Sequence, residues 1–242
     1  MQLPFNESLI IIPTYNEIEN IDRMIHTLFE FYPQISILII EDNSPDGTAL
    51  IVKKLMNKFK TLHLIERKGK LGLGTAYIAG FKWALERDFN YIFEMDCDFS
   101  HDPISVRDLL NATLTHDLAI GSRYIDGIRI INWPLKRLLL SYGASIYNRL
   151  ITGIPLFDTT GGFKCFSRKA LQSLDLNKII SNGYSFQLEI NYKVWKKGLS
   201  IKEVPIIFYE RRDGQSKMNS SIIIEAVFAV FQLRFKNLFG HL

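Results

Sequence analysis

Two carboxylates separated by one residue, Asp96 and Asp98, are the clearest candidates for chemistry in this sequence. They follow an apolar, β-prone run that begins at Tyr91. Because residues i and i+2 project from the same face of an extended strand, we expect both carboxylates to face one point. Like charges that close require a positive partner. Mg²⁺ or Mn²⁺ suits such oxygen ligands and keeps positions for substrate phosphates. The spacing therefore predicts a metal–diphosphate site at the carboxyl end of a strand.

The same stretch also has a purely structural interpretation. Asp98 or Ser100 could cap the helix indicated by Asp102 and Pro103, since proline favours the first helical position. A D-x-D spacing on its own does not choose between a cap and a metal site. His101, the next residue, is interpreted as structural.

Polar loops also follow the first two predicted strands. The apolar run 8–12 leads to Asn16 and Glu17, which either contact a ligand or cap an amphipathic helix. The apolar run 35–40 ends in an acidic, turn-rich loop in which Asp42 could hydrogen-bond a ribose or base edge. Because the carboxyl ends of parallel strands share one sheet edge, these loops predict a common ligand site.

Alternating β and α segments from residue 8 to residue 121 predict an α/β fold, with a mostly parallel central sheet and helices on both faces. A third strand at 62–65 leads into a glycine-rich segment, 68–76. Its spacing matches neither the dinucleotide fingerprint nor the P-loop. We expect these glycines to allow close approach of a helix, with Lys68 and Lys70 near the ligand edge.

The second half of the chain carries cations and apolar segments. A helical pattern runs from Lys136 to about residue 151, and residues 210–217 form a charged loop. The nearly uninterrupted apolar stretch 222–231 is too short to span a bilayer. It could lie in a membrane interface, pack as a last core helix, or become buried in a dimer.

Composition bounds the class of protein. At 242 residues and 47% hydrophobic content, the sequence predicts one catalytic domain over 1–217 and a C-terminal amphipathic helix over 218–242. A net charge of +4 favours an anionic ligand or a membrane surface and is too small to indicate nucleic acid. No signal peptide or transmembrane helix is expected. Cys97 and Cys165 lack metal-site spacing, which favours a reducing compartment.

Taken together, eight segments resemble the dolichol-phosphate (polyprenyl-phosphate) mannosyltransferases, which are inverting family 2 glycosyltransferases with the GT-A fold. The segments are PTYNE (13–17), EDNSPDGT (41–48), GKLGLGTAY (69–77), MDCDFSHDP (95–103), GSRY (121–124), DTTGGFK (158–164), GYSFQLEI (183–190) and GQSK (214–217). The first half alone resembles family 2 in general. LGLGTAY, GYSFQ and GQSK carry the narrower resemblance to the mannosyltransferases.

The resemblance implies transfer of mannose from GDP-mannose to dolichyl or polyprenyl phosphate, with inversion and with Mg²⁺ or Mn²⁺ as cofactor. It also implies a cytoplasmic protein, peripheral at the cytoplasmic face of a membrane, that contacts the membrane surface and could use a small membrane-anchoring subunit. The implied donor-binding residues are Pro13, Tyr15, Glu17, Ile40, Asp42, Asp96, Cys97, Asp98, Arg123, Arg211 and Lys217. The implied metal ligands are Asp98, Ser100 and Asp96, the acceptor-phosphate residues are Arg123, Arg137 and Ser141, and the catalytic residues are Asp98, Arg123 and Arg211.

Two departures and two rival functions accompany this resemblance. Many family members carry Ala at the position of Cys97 and Gln at that of Ser100, and Arg212 is an alternative to Arg211. One rival is a polyprenyl-phosphate glucosyltransferase that uses UDP-glucose, which competition by GDP and UDP would distinguish. The other is a non-catalytic module that binds lipid phosphate or nucleotide, whose expected sign is loss of a metal carboxylate or of the basic cluster.

Overall fold

The computed structural model describes residues 3–179, 181, 183–210, 230, 231 and 233–235, with only the backbone described at residue 184. The predicted boundary between 217 and 218, and most of the predicted C-terminal helix, lie outside these residues. Residues 230, 231 and 233–235 are helical.

The described residues form nine strands and seven α-helices. The strands are β1 (Ser8–Thr14), β2 (Ser36–Glu41), β3 (Leu62–Glu66), β4 (Tyr91–Glu94), β5 (Leu118–Ser122), β6 (Ile130–Ile131), β7 (Lys164–Ser167), β8 (Ile201–Pro205) and β9 (Phe208–Tyr209). The helices are α1 (Ile21–Phe31), α2 (Thr48–Met56), α3 (Leu73–Leu85), α4 (Val106–Thr113), α5 (Leu135–Thr152), α6 (Arg168–Gln172) and α7 (Gly183–Lys196). Short 3₁₀ turns cover Phe5–Glu7, Pro103–Ser105 and Leu176–Lys178.

Seven strands form one sheet in the order β3-β2-β1-β4-β7-β5-β8. Neighbours pair in parallel except at β7, which runs antiparallel to both β4 and β5. β6 and β9 form a separate parallel pair. The predicted α/β class with a mostly parallel central sheet is therefore confirmed, and the carboxyl ends of β1, β2 and β4 lie side by side.

Apolar residues on both faces of the sheet explain why its central strands are continuously hydrophobic. Leu9 and Ile11 pack on the side of α3 and α7, whereas Ile10 and Ile12 pack on the side of α1, α2 and α4. The expectation that the glycine-rich segment allows close packing is confirmed at Gly74, where an added Cβ would lie 2.7 Å from a backbone carbonyl oxygen.

Two details differ from the sequence-based expectation. β4 ends at Glu94, so Asp96 and Asp98 lie in the following bend, and the argument from strand alternation was wrong. The chain turns sharply there, with Phe99 at a φ of +57°, a conformation that bulky residues seldom adopt. In addition, α1 begins only at Ile21, and Ile18 is exposed in the turn before it.

Candidate active site

The loops after β1 and β2 are joined by hydrogen bonds. The backbone N–H of Glu17 donates to Thr48 Oγ1 (3.1 Å), and that of Ile18 donates to Asp46 Oδ2 (3.1 Å). Asp46 also accepts from the backbone N–H and the hydroxyl of Thr48 (2.9 and 2.7 Å). The acidic loop 41–48 therefore fixes the segment that carries Tyr15 and Glu17 at the edge of the sheet.

Asp42, predicted to contact a nucleoside, is held by Arg67. The Nε and Nη2 atoms of Arg67 donate to the two carboxylate oxygens of Asp42 at 2.5 and 2.7 Å. Arg67 also donates to Thr75 Oγ1 (2.7 Å) and to the carbonyl of Gly72 (3.2 Å). Arg67, which the sequence analysis missed, thus fixes the direction of Asp42 and ties it to the start of α3.

The other predicted nucleoside residues lie beside this pair. Pro13 and Tyr15 are half-buried, and the Lys70 ammonium lies 4.3 Å from the centroid of the Tyr15 ring, which brings the glycine-rich loop next to the first loop. Ile40 is fully buried in the core, so its side chain supports the site from within. Cys97 is a buried free thiol, and burial raises the pKa of its thiol well above the ordinary value.

The bend after β4 presents oxygen atoms suited to a hard cation. Asp98 is almost buried and its Oδ1 accepts from the backbone N–H of Ser100 (3.0 Å), while about a third of the Asp96 side chain is exposed. The Ser100 hydroxyl is buried without a hydrogen-bond partner among the described residues. Two carboxylates and a hydroxyl fit Mg²⁺ or Mn²⁺ chemistry.

Two further observations bear on this loop. The cap interpretation of Asp98 and Ser100 is wrong, because Asp102 accepts from the N–H of Ile104 (3.0 Å) at the start of the turn. The described part of the chain contains no group of three His, Cys, Asp or Glu residues arranged to hold a metal. A cation held by Asp96, Asp98 and Ser100 would take further ligands from substrate oxygens or water.

Arg123, predicted to meet phosphate, is almost buried and forms a two-point ion pair with Asp158. Its Nε and Nη2 atoms donate to the two Asp158 oxygens at 2.7 Å each, and Nη2 also donates to Thr160 Oγ1 (3.0 Å). Burial opposes ionisation of Asp158, yet the charge and hydrogen bonds of Arg123 outweigh it and hold the pKa of Asp158 below its ordinary value. Arg123 is therefore fixed as a cation whose direction Asp158 sets.

Glu203 on β8 supports this pair from below. Its carboxylate accepts from the Ser122 hydroxyl (2.7 Å) and from the backbone N–H groups of Phe157 (2.7 Å) and Asp158 (2.8 Å). The sequence analysis missed both Asp158 as an ion-pair partner and Glu203. The D-T-T-G-G-F segment was the only signal at Asp158, and no local pattern connects Glu203 with residues 35 or more positions earlier.

Arg137 and Ser141 on α5 adjoin Arg123 through aromatic rings. The Arg137 guanidinium lies 4.0 Å from the Trp133 ring centroid and donates to Glu210 (3.0 Å), while Ser141 Oγ accepts from the hydroxyl of Tyr124 (2.8 Å). The Arg123 guanidinium lies within 6 Å of the Tyr124 and Trp133 rings. The structure thus brings Arg123, Arg137 and Ser141 together, whereas Arg211 and Lys217 lie outside the described residues.

A buried ion pair that the sequence analysis missed lies beneath this edge. Glu94 and Lys164 face each other across β4 and β7, 3.6 Å apart and fully buried, and Lys164 also donates to the side-chain amide oxygen of Gln187 on α7. Burial raises the pKa of Glu94 and lowers that of Lys164. The pair joins the strand that leads to Asp96 with the helix that carries the G-Y-S-F-Q segment.

Comparison with curated proteins finds close relatives along almost the whole chain. Polyprenol monophosphomannose synthase from Mycolicibacterium smegmatis is 42% identical over 229 residues, covering 94% of this chain and 86% of that protein. Undecaprenyl-phosphate mannosyltransferase from Micrococcus luteus is also 42% identical, covering 90% of each chain. The resemblance to polyprenyl-phosphate mannosyltransferases is confirmed by these two relatives.

Solved structures share the fold at low sequence identity. Glucosyl-3-phosphoglycerate synthase from Mycobacterium tuberculosis superposes with a TM-score of 0.72 at 16% identity, covering 94% of this chain and 80% of that one. A mannosyltransferase from Pyrobaculum calidifontis, solved with GDP-Man and Mn²⁺, gives 0.58 at 14% identity, covering 97% and 72%. The sequence profile described as Glycosyl transferase family 2 matches residues 9–175. This chain therefore belongs to glycosyl transferase family 2 and is a glycosyltransferase.

Proposed function

We propose that this glycosyltransferase moves mannose from GDP-mannose to the phosphate of a dolichol or another polyprenol, with inversion, giving polyprenyl β-D-mannosyl phosphate and GDP. The observation that carries the proposal is the 42% identity to two proteins named for mannosyl transfer to polyprenyl phosphates, over at least 90% of the chain. That span includes the second half, which supplies Arg137, Ser141 and the partners of Arg123.

The loops after β1, β2 and β4 form the donor half of the site. Pro13, Tyr15, Glu17, Ile40 and Asp42 surround the guanosine in this assignment. Asp96 and Cys97 lie toward the donor, and Asp98 with Ser100 and Asp96 would hold Mg²⁺ or Mn²⁺. A cation bound there would neutralise charge on the diphosphate and stabilise the departing GDP.

The cations beyond β5 form the acceptor half. A phosphate monoester has a second pKa of about 6, so the acceptor is largely dianionic at neutral pH and already nucleophilic. Its approach to a diphosphate is opposed by charge repulsion, which Arg123, Arg137 and Arg211 would offset, with Ser141 and Lys217 adding polar contacts. A phosphate oxygen forms the new bond to the anomeric carbon as the bond to GDP breaks. GDP keeps the electron pair, and in-line attack inverts the configuration.

The proposal also places the protein at the cytoplasmic face of a membrane. Helix α5 turns polar residues such as Ser145 and Asn148 inward, while Leu135, Leu139 and Leu150 are exposed. Within the described residues, no helix is long and apolar enough to cross a bilayer. An exposed apolar helix with basic residues at its start suits an interface, where the polyprenyl tail could enter. A small membrane-anchoring subunit belongs to the same proposal.

A vesicle experiment tests this placement. Replacing Leu139 and Leu150 with Gln should reduce flotation of the protein with vesicles that contain anionic lipid, because it removes apolar contact area. Leu50→Gln, on the exposed face of α2, serves as the matched control, since it removes an equally exposed leucine away from α5. Equal flotation of the α5 variant and the wild type would remove α5 from the membrane contact.

A transfer assay tests the reaction. Purified protein is incubated with labelled GDP-mannose, Mg²⁺ and a polyprenyl phosphate in detergent, and the lipid product is extracted into organic solvent. The expected result is label in the organic phase that disappears with EDTA. Labelled UDP-glucose should give none, and GDP should inhibit where UDP does not. Label from UDP-glucose but not from GDP-mannose would replace the proposal with the glucosyltransferase alternative.

A variant connects the assay to the acidic loop. Asp98→Asn removes one carboxylate charge with little change in shape, so we expect transfer to fall by about a hundredfold or more, since a bound metal contributes several kcal/mol to transition-state stabilisation. Circular dichroism should show the fold intact. Full metal-independent activity in this variant would contradict the assignment of the acidic loop.

A further inference from the structure

One residue beside the acidic loop has contacts that the proposed reaction leaves unexplained. The His101 ring is buried between two phenylalanines, stacked on Phe163 at a centroid distance of 5.0 Å and edge-on to Phe208 at 5.4 Å. Its backbone forms an isolated β-bridge with Phe208, and the backbone N–H of Tyr209 donates to the carbonyl of Ser100 (3.2 Å). His101 therefore attaches the end of the acidic loop to β9.

The polar side of the same ring faces Asp96. The backbone N–H of Asp96 points to His101 Nδ1 at 3.4 Å, and Asp96 Oδ2 lies 3.8 Å from that nitrogen. These contacts close a six-residue loop that begins at Asp96 and contains Asp98 and Ser100. The ring thus lies between an aromatic wall and the backbone that aims both carboxylates.

We infer that His101 is a positioning residue for the metal–diphosphate loop, acting through Nδ1 as an acceptor for the Asp96 backbone. This inference rests on the proposed function, because it assumes that Asp96, Asp98 and Ser100 hold a divalent cation. Phe99 keeps a positive φ in the same loop, so the loop needs contacts that hold a conformation its own residues disfavour. Groups that orient metal ligands typically contribute 10- to 100-fold to metal affinity.

The aromatic contacts extend the role to the acceptor half. Phe208 lies 5.5 Å from the Arg123 guanidinium carbon, and Phe163 follows the segment that contains Asp158. A single buried ring therefore contacts the loop assigned to the metal and the aromatic residue beside Arg123. His101 sets the spacing between the two halves of the site.

Two substitutions separate positioning from packing. His101→Phe keeps a flat ring between Phe163 and Phe208 but removes the acceptor. His101→Asn gives up most of the ring and places an amide oxygen where Nδ1 can be replaced as an acceptor. His63→Phe is the matched control, since His63 packs against Trp83 at 5.0 Å on β3, away from the acidic loop.

Binding of Mn²⁺ in the presence of GDP, followed by electron paramagnetic resonance of unbound Mn²⁺, is the primary measurement. We expect the control to match the wild type, His101→Phe to bind about tenfold more weakly or worse, and His101→Asn to recover to within about threefold of the wild type. In the transfer assay, His101→Phe should need more Mn²⁺ for half-maximal rate yet approach the wild-type rate at saturation.

Three results would overturn the inference. Wild-type affinity in His101→Phe would reduce His101 to packing, and equal weakness in His101→Asn would exclude the acceptor role. Should His101→Phe fail to fold, the ¹⁵N resonance of Nδ1 in the wild-type protein decides: an acceptor nitrogen supports the inference and a proton on Nδ1 overturns it. Failure of the wild type to bind Mn²⁺ with GDP would instead overturn the proposed function, and this inference with it.

Discussion

Two arginine–aspartate pairs flank the candidate site, one on each half of the sheet, and they use the same geometry for opposite charges. Arg67 holds Asp42 at 2.5 and 2.7 Å, and Asp158 holds Arg123 at 2.7 Å twice. On the donor half the residue assigned to the ligand is the carboxylate, whereas on the acceptor half it is the guanidinium. In each pair, the partner fixes the functional side chain before any ligand binds, which is how a site is preorganised.

The pairs differ in how deeply they are buried. Asp158 is fully buried, and three aromatic rings approach Arg123 within 6 Å. The side chains of Asp42 and Arg67 each keep about a tenth of their surface exposed, and Arg67 has neutral acceptors in Thr75 and Gly72. Removing one partner of a buried ion pair is costly because the other charge is left without compensation. The acceptor half should therefore be the more sensitive of the two.

The largest effect is expected for Asp158→Asn. Loss of the carboxylate leaves the Arg123 guanidinium buried without its counter-charge, so we expect the free energy of unfolding to fall by about 3–5 kcal/mol. Urea denaturation measures it. Asp126→Asn is the control, since Asp126 is exposed and only 4.0 Å from Arg129, and should change stability by less than about 0.5 kcal/mol. Equal effects of the two substitutions would contradict the contrast in burial.

The same pair predicts a pH dependence. The folded-state pKa of Asp158 lies below its ordinary value of 3.8, so the pair contributes fully above pH 3.8 and is lost as pH falls through the folded value. The stability difference between wild type and Asp158→Asn should therefore shrink below about pH 4, as denaturation at several pH values would show. A difference that stays constant down to the lowest accessible pH would mean that ionisation of Asp158 is not what stabilises the pair.

The two halves also differ in how much of them the sequence predicts. The donor half depends on strands, turns and the loops that follow them, which are local features, and the strands β1 to β4 lie where the apolar runs place them. The direction of Asp96 and Asp98 was predicted wrongly because the strand ends two residues earlier, at Glu94, and the chain then bends at Phe99. Local pattern gives an element's identity more reliably than its last residue.

The partners on both halves were missed because each is distant in sequence. Arg67 is 25 residues from Asp42, Asp158 is 35 from Arg123, and Glu203 is 81 from Ser122. Only the fold brings these residues together, through neighbouring strands and the turn before β7. The family resemblance named the functional member of each pair and gave no information about the residue that holds it.

An intermediate effect is expected for Arg67→Met on the donor half. Asp42 would keep its charge, slightly exposed, without a partner, so we expect a loss of about 1–3 kcal/mol in stability and weaker GDP binding. Denaturation and isothermal titration with GDP measure the two effects. Lys53→Met, which removes an exposed ion pair with Glu66, is the control and should change neither by much. A stability loss as large as that of Asp158→Asn would erase the difference between the pairs.

The smallest effect, and the sharpest division of labour, is expected for Arg137→Ala. Arg137 and its partner Glu210 are both partly exposed, so stability should change by less than about 1 kcal/mol. Loss of one cationic contact to the acceptor phosphate should raise the KM for polyprenyl phosphate about tenfold, equivalent to about 1.4 kcal/mol, with GDP affinity unchanged. Arg129→Ala, at an exposed arginine in the segment before α5, is the matched control for loss of positive charge. An equal loss of GDP affinity in Arg137→Ala would move Arg137 to the donor half, and the two halves would no longer differ in the substrate they hold.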